Sequence, residues 1–444
     1  MNIDHYVGAL TLRNYKCFST LELNLNPALT IFFAKNAGGK SAILRALAIS
    51  LSPFVSELSR QQLGLDSADP RQKLTSSAPV TMEPQFPLII QVGIALGEKS
   101  CSSEIVVASR NAVPSGGHPL REKARVTAQR LRAGSTELLP LFAFYGTGRF
   151  RVSSTQDVPN EKIDKSRTTG YSNCLQASAS FLECSDWLKY ATYADLQERH
   201  RNSLTNGQTA YSRLLEEVSR AVQSCVEDST GWTDFRYDIA RESVVLSHDV
   251  YGVLELSQLS DGIRGMVALV ADLAYRCVRL NALAECPNGI VASTPGIVLI
   301  DEVDLHLHPA WQQVVVASLT RAFPRMQFVL TTHSPQVLAS VGPEFIRELV
   351  SESDGTVRAI TPEYSLGATS SQVLEGLMHV ESRPPQLDIV RSLARYRFLV
   401  EAGEASSEEG REIWAELMLW GGSWEPELRR LEIQKRMAEA SRRS

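Results

Sequence analysis

The stretch LTIFFAKNAGGKSAILRALAISL, residues 29–51, constrains this chain more than any other. Leu29 to Phe33 form a short apolar run that reads as a buried strand, and the segment after Lys40 carries apolar residues at helical spacing. A strand, a glycine-rich turn and a helix in that order are the setting of a loop that cradles phosphate. Successive backbone N–H groups at such a turn make an anion nest on a helix N-terminus. In this reading Gly38 and Gly39 let the backbone approach phosphate, Lys40 reaches the outer phosphates, and Ser41 offers a Mg²⁺ ligand. The strict pattern G-x-x-x-x-G-K-[ST] fails by one residue, because Ala34 stands at its first glycine. Alanine at 34 or 37 is costly only where the position needs positive φ or the space of a missing Cβ.

Three other segments carry candidate chemistry. IVLIDEVD ends an apolar strand in Asp301 and Glu302. One carboxylate there suits a metal shell, and the next can orient or deprotonate water; a solvated acidic turn is the plainer alternative. LTTHSPQ (330–336) puts His333 just past another apolar strand, where it can donate to a γ-phosphate or simply bond its own turn. LSQLSDGIRGM (256–266) opens a helix, expected over 264–285, with a Ser-x-Gly nest. Ser260 or Asp261 serves equally as its N-cap.

Around these motifs the chain reads as alternating elements. Strands are expected at Tyr6–Arg13 and Thr20–Leu25, then a surface excursion over 53–80, then β segments at PLIIQVGIAL and SEIVVAS. The basic stretch HPLREKARVTAQRLRAG follows, then the apolar strand LLPLFAFYG, closed by residues 146–149, and a polar loop to about Thr169. From Leu175 to Asp228 the pattern is helical, with Tyr211, Leu214, Leu215, Val218, Val222 and Cys225 on one face. FRYDIA, SVVLSH and GVLEL read as strands, Pro309 to Phe323 as a helix, and MQFVLTT as a buried strand. Apolar strands alternating with helices imply a parallel α/β sheet with ligands at the carboxyl ends of its strands. Beyond Leu366 the chain turns helical and charged, and Trp414, Leu417, Leu419, Trp420 and Trp424 mark a candidate apolar face. The expected division is 1–150, 151–230, 231–365 and 366–444.

Composition bounds the partners. With 444 residues the chain has room for two or three domains, and its net charge of −5 gives no overall basic signature. Any nucleic acid would therefore meet a local patch, for which Arg121–Arg132 is the candidate, or a partner chain. Seven scattered cysteines with no C-x-x-C spacing argue against a disulfide framework or a zinc site and for a reducing cytoplasm. The N-terminus lacks signal-peptide character, and no uninterrupted apolar run approaches the ~20 residues of a membrane span. A cytoplasmic protein without membrane contact is expected.

In chain order, AKNAGGKS, LSDGIRG, LIDEVDLHLHP and TTHSP resemble the Walker A, signature, Walker B with D-loop and switch-histidine motifs of ABC-type ATPases of the SMC and RecF kind. NYKCFSTLELNL resembles the N-terminal strand pair of that group. FYGTGR, TGYSNCL, the step from THSPQVL to LGATSSQVLEGLM, and ESRPP resemble the compact AAA-family ATPases of bacterial antiphage defence, above all the Septu ATPase subunit that also occurs beside retrons. The resemblance implies an α/β fold: an ABC-type P-loop head with a mainly parallel core sheet, an antiparallel β subdomain, an inserted helical subdomain and C-terminal helices. It implies ATP and Mg²⁺ as cofactors, and the departures from the family pattern, with alanine at 34 and 37 where glycine is usual, point to slow hydrolysis.

Residue by residue, the resemblance surrounds the nucleotide with Asn36, Ala37, Gly38, Gly39, Lys40, Ser41 and Ala42, with Arg13 approaching it. Ser41 and Asp301 become the metal shell, Glu302 the catalytic base, and His333 the switch histidine. Ser260, Asp261 and Gly262 would contact the γ-phosphate of an opposite subunit, and His308 would sit in the D-loop. No Q-loop glutamine is evident, and residues 146–149 are the candidates for its place. Implied partners are a homo-oligomer built from ATP-dependent dimers and a separately encoded HNH nuclease, with DNA or RNA as a candidate ligand. Two other functions stay open: a DNA-repair or chromosome-maintenance ATPase, and a scaffold fixed by nucleotide that hydrolyses slowly or not at all.

Overall fold

The computed structural model describes residues 3–35, 37–59, 61, 63–74, 81–148, 166–177, 181–201, 208–352 and 356–441. The chain divides into two compact units, Met1–Ala368 and Thr369–Ser444.

At the centre of the first unit is a six-stranded sheet in the order Val357–Ile360, Ile346–Ser351, Leu29–Phe33, Met326–Thr331, Gly296–Ile300, Leu141–Tyr145. Every pair is parallel except the edge pair of Ile346–Ser351 with Val357–Ile360. Four of the strands, Leu29–Phe33, Leu141–Tyr145, Gly296–Ile300 and Met326–Thr331, are buried at every residue. Burial on both faces is why these segments appear in the sequence as largely apolar runs, interrupted by Thr30 and Gln327. The register aligns Phe32 with Thr331, Ile300 with Leu330, and Ile300 with Tyr145. The strands therefore end level, and the loops that follow them gather at one edge. The outermost strand seats this closely because residue 296 is glycine: a Cβ there would stand 2.2 Å from the Leu141 carbonyl oxygen.

A five-stranded antiparallel sheet carries Phe18–Asn24, His5–Tyr15, Leu88–Leu96, Lys99–Val107 and Ser115–Gly116 in that order. Buried Gln327 ties it to the core. Its Oε1 accepts the Val7 N–H at 2.8 Å, and its Nε2 donates to Val7 O at 2.9 Å and Asn26 O at 2.8 Å. A three-stranded antiparallel sheet, Thr233–Asp238, Ser243–His248 and Gly252–Glu255, precedes the signature segment. The expected fold class, a mainly parallel core with antiparallel β, helical insert and C-terminal helices, is the one found.

Several boundaries differ from expectation. The helix after the glycine turn runs from Lys40 to Ser59 through Pro53, so the surface excursion begins later than residue 53. Proline removes one helical hydrogen bond, but Phe54, Val55 and Leu58 beyond it are buried, and that burial keeps the helix going. This helix has the length and apolarity of a membrane span, yet 72% of its apolar window is buried inside the protein. The basic stretch forms a helix, His118–Arg132. The insert resolves into helices Leu182–Arg201 and Ala210–Thr230, with Val218, Val222 and Cys225 buried. The signature helix runs Asp261–Asn281 rather than 264–285. The helix expected over Pro309–Phe323 breaks into Pro309–Gln312 and Val315–Ala322, because Val314 between them sits at φ −116°.

The signature helix is anchored by a buried ion pair. Arg276 Nε donates to Asp272 Oδ2 at 2.8 Å, and the Tyr145 hydroxyl donates to the same oxygen at 2.6 Å. Arg276 Nη1 donates to the carbonyls of Gly170 and Ser172, which pins the TGYSNCL segment to the helix.

The second unit contains helices Asp388–Ala402, Glu408–Trp420 and Pro426–Ser441 around a small core that includes Leu393, Tyr396, Val400, Leu417, Leu428 and Leu431. Trp414 stacks on Tyr396 with ring centroids 5.0 Å apart. The apolar face expected from five residues is split: Leu417 is buried, whereas Leu419 and Trp424 are 92% and 93% exposed within this unit.

Candidate functional site

Three strand ends supply the site. The loop after Phe33 is a tight turn in which the Gly38 N–H donates to Lys35 O at 3.1 Å; Asn36 lies outside the described residues. The helix begins at once, with the Ile43 N–H donating to Gly39 O at 3.0 Å. Gly39 has φ +87°, and a Cβ there would stand 2.3 Å from Phe18 Cζ and 2.7 Å from Cys17 Sγ. Only glycine fits.

The two alanines have different consequences. Ala34 does not need left-handed φ, but its Cβ would lie 2.6 Å from a Cβ at residue 38, so Ala34 makes Gly38 obligatory. Ala37 sits at φ +64°, where an L-residue pays about 1–2 kcal/mol relative to glycine. The loop therefore holds its shape with one strained alanine and two necessary glycines.

Lys40 is only 7% exposed, and its Nζ donates to Ala34 O at 3.1 Å. Desolvation pushes its pKa down, while Asp301, Glu302 and Asp304 act against that shift. Those three carboxylates place the acidic turn next to the loop's lysine. Asp301 is buried; its N–H donates to Tyr145 O at 2.8 Å, and its Oδ1 accepts the Thr331 hydroxyl at 2.6 Å. Glu302 has φ +49°, and its N–H donates to the Thr331 hydroxyl oxygen at 2.7 Å. Thr332 donates to Asp304 Oδ1 at 2.6 Å.

Ala37, Gly38, Gly39, Lys40, Ser41, Ala42, Glu302 and His333 line one cavity of about 400 Å³. Glycine loop, second carboxylate and histidine, nearly 300 residues apart in sequence, thus converge. Asp301 is buried and absent from the lining, tied to the strand ends. Arg13, on the antiparallel strand His5–Tyr15, is exposed and does not line the cavity.

The signature segment lies elsewhere. Ser260 holds the N-cap position without a side-chain cap bond, and Ser260 and Asp261 are exposed. Asp261 instead pairs with Arg264 at 2.5 Å. A Cβ on Gly262 would meet His306 O at 2.4 Å, so the start of this helix abuts the turn that follows the acidic residues. His308 is exposed, and its Nδ1 accepts the Ala310 N–H at 3.3 Å; it caps the short helix Pro309–Gln312. The turn meets the start of the signature helix through the backbone of His306 and Leu307, and the motif reading passed over His306. A second cavity of about 300 Å³ is lined by Thr147, Asp261, Arg264, Val303, His306 and Leu307 among others. Residue 147 of the proposed Q-loop replacement thus sits beside the signature, while Arg149 lies outside the described residues.

The motif reading also missed Thr331, Thr332 and Phe18. The doubled threonine ahead of His333 was the available signal: two hydroxyls at a strand end, beside a strand that ends in acids.

A buried oxygen donor (Asp301) and an exposed hydroxyl on the first helical turn (Ser41) suit a hard cation that keeps water and phosphate ligands. Among the described residues no group of three or more His, Cys, Asp or Glu side chains could hold a metal ion unaided.

Known proteins resemble this chain in sequence along most of its length. A family model described as "AAA domain" matches residues 9–217, and one described as "AAA domain, putative AbiEii toxin, Type IV TA system" matches residues 156–339. The chain is 28% identical to the Retron Ec83 probable ATPase of Escherichia coli, over 98% of this chain and 87% of that protein. It is 24% identical to the Septu protein PtuA of Bacillus thuringiensis, over 51% of this chain and 56% of that one. Among solved structures, the SMC head bound to the C-terminal winged-helix domain of ScpA aligns with a TM-score of 0.49 at 14% identity, over 80% of this chain and 97% of that chain. The chain is related to AAA-domain proteins, to retron probable ATPases and to Septu PtuA, as its motifs implied.

Proposed function

We propose that this protein is an ATPase of the antiphage-defence type that closes into dimers around ATP and governs a separately encoded HNH nuclease in the cytoplasm. The observation that carries the reading is the one cavity that the glycine loop, Glu302 and His333 line together, with Asp301 acting on Lys40. Similarity to the retron probable ATPase along nearly the whole chain, and to Septu PtuA, supports the antiphage-defence setting; the nuclease partner is what the motif resemblance implies.

In this reading the N–H groups of residues 37–42 and the Lys40 ammonium bind the phosphates, with Asn36 completing the loop. Ser41 and Asp301 would hold Mg²⁺, which when bound would neutralise charge on the phosphate oxygens. Glu302 orients and deprotonates the attacking water, and His333 donates to the γ-phosphate. Ser260, Asp261 and Gly262, exposed or at a helix start away from the cavity, act on the nucleotide of a second protomer. Because they do not line the cavity of their own glycine loop, hydrolysis in this reading depends on assembly. Residues 1–150 and 231–365 are read as the two lobes of the head, 151–230 as the insert, and 366–444 as a C-terminal helical region that binds a partner.

A DNA-repair role would use the basic helix as its footprint. There Arg121 and Lys123 donate to the carbonyls of Gly116 and Leu96, and Arg125 and Arg130 pair with Glu57 and Glu137. Four of the helix's five Lys and Arg side chains thus have internal partners, which weakens that footprint.

The test is nucleotide binding, turnover and native mass for wild type and Lys40→Ala, with and without ATP and the co-expressed neighbouring gene product. Wild type should bind and slowly hydrolyse ATP and gain mass with it, and Lys40→Ala should lose all three. A wild-type chain that neither binds ATP nor changes mass would sink the proposal.

A further inference from the structure

We propose that Thr331 is a positioning residue of the hydrolytic site, which orients the Asp301 carboxylate and the Glu302 backbone with one hydroxyl. The inference deepens the function proposed above and rests on it. The Thr331 hydroxyl donates to Asp301 Oδ1 at 2.6 Å and accepts the Glu302 N–H at 2.7 Å. A hydroxyl carries one proton, so a donation in one direction and an acceptance from another fix its rotation. The side chain is β-branched, fully buried, and set on the rigid strand Met326–Thr331. The same residue's carbonyl accepts the Val303 N–H at 3.0 Å. Three bonds from one residue therefore hold positions 301, 302 and 303.

This arrangement controls two degrees of freedom that matter for the chemistry. With Oδ1 tied to Thr331, the Asp301 carboxylate is stopped from turning about its Cβ–Cγ bond. At φ +49°, Glu302 occupies a conformation that persists only where its surroundings over-determine it, and the Thr331 bond is one of those constraints. Thr331 does not line the cavity; it acts through the two acids.

The test uses the full-length chain as Thr331→Val, which keeps the shape and removes the hydroxyl, and Thr331→Ser, which keeps the hydroxyl. The affinity of a fluorescent ATP analogue is measured in EDTA and across a Mg²⁺ titration, beside kcat. Loss of a partner that orients a metal ligand should raise the Mg²⁺ half-saturation of Thr331→Val by about tenfold or more. Its affinity in EDTA should stay at the wild-type level, its kcat should fall, and Thr331→Ser should restore both. If Thr331→Val does not fold, Thr331→Cys, with its weaker donor, takes its place under the same expectation. A folded hydroxyl-free variant with the wild-type Mg²⁺ curve and kcat overturns the positioning role and leaves the ATPase reading standing. A wild-type chain that binds no nucleotide overturns both.

Discussion

A methyl group on Gly39 would stand 2.3 Å from Cζ of Phe18, on backbone held at φ +87°. The glycine loop and the first β-hairpin therefore pack so closely that a side chain at 39 has no room. Gly39→Ala should meet both the left-handed penalty of about 1–2 kcal/mol and the displaced ring. Thermal unfolding and nucleotide titration should show a lower Tm and strongly weakened binding; a variant equal to wild type in both would refute that close packing.

Ala37 offers the opposite case. At φ +64° glycine relieves strain worth about 1–2 kcal/mol, offset by about 0.4–1 kcal/mol of added unfolded-state entropy. Ala37→Gly should therefore be neutral to slightly stabilising by chemical denaturation, with nucleotide binding retained. Clear destabilisation would mean that residue 37 does not hold this conformation.

Glu302→Gln keeps the shape of a cavity-lining side chain and removes its basicity. Turnover should fall by about 10²–10⁴-fold with ATP binding intact. The ATP-bound assembly should accumulate on a mass measurement. Unchanged turnover would remove Glu302 from the catalytic role.

Gly262→Ala places a Cβ 2.4 Å from the His306 carbonyl. The start of the signature helix must then move away from the turn after the acids. Nucleotide binding at the protomer's own glycine loop should persist, whereas ATP-dependent mass gain and turnover should drop together. Loss of binding alone would place the segment's effect in its own cavity instead.

Arg276→Ala leaves Asp272 buried without its cation and takes the donor from Gly170 and Ser172. Breaking a buried pair in this way costs about 3–5 kcal/mol, readable as a shift of the urea midpoint. A midpoint within error of wild type would show the pair to be dispensable.

Much of the fold was legible because the core strands are buried on both faces and therefore appear as apolar runs at 29–33, 141–145, 296–300 and 326–331. The candidate site was legible at Lys40, Asp301, Glu302 and His333 because each follows such a run within a few residues. Helix ends were less so: Pro53 reads as a stop, but the burial of Phe54 and Leu58 overrides it. His306 and Thr331 could not be assigned, since their roles depend on what a fold places opposite them.

Local chemistry alone determined which segments become strands, where the glycine turn falls and which residue types that turn carries, because those choices depend on neighbours within a few positions. Tertiary structure alone decided that Leu29–Phe33 lies beside Met326–Thr331, that Thr331 clasps the acids of a neighbouring strand, and that Ala34 and Phe18 leave no alternative to glycine at 38 and 39. Those relations join residues far apart in the chain, and hydrogen bonds and steric exclusion act only at contact distance, which only the folded packing supplies.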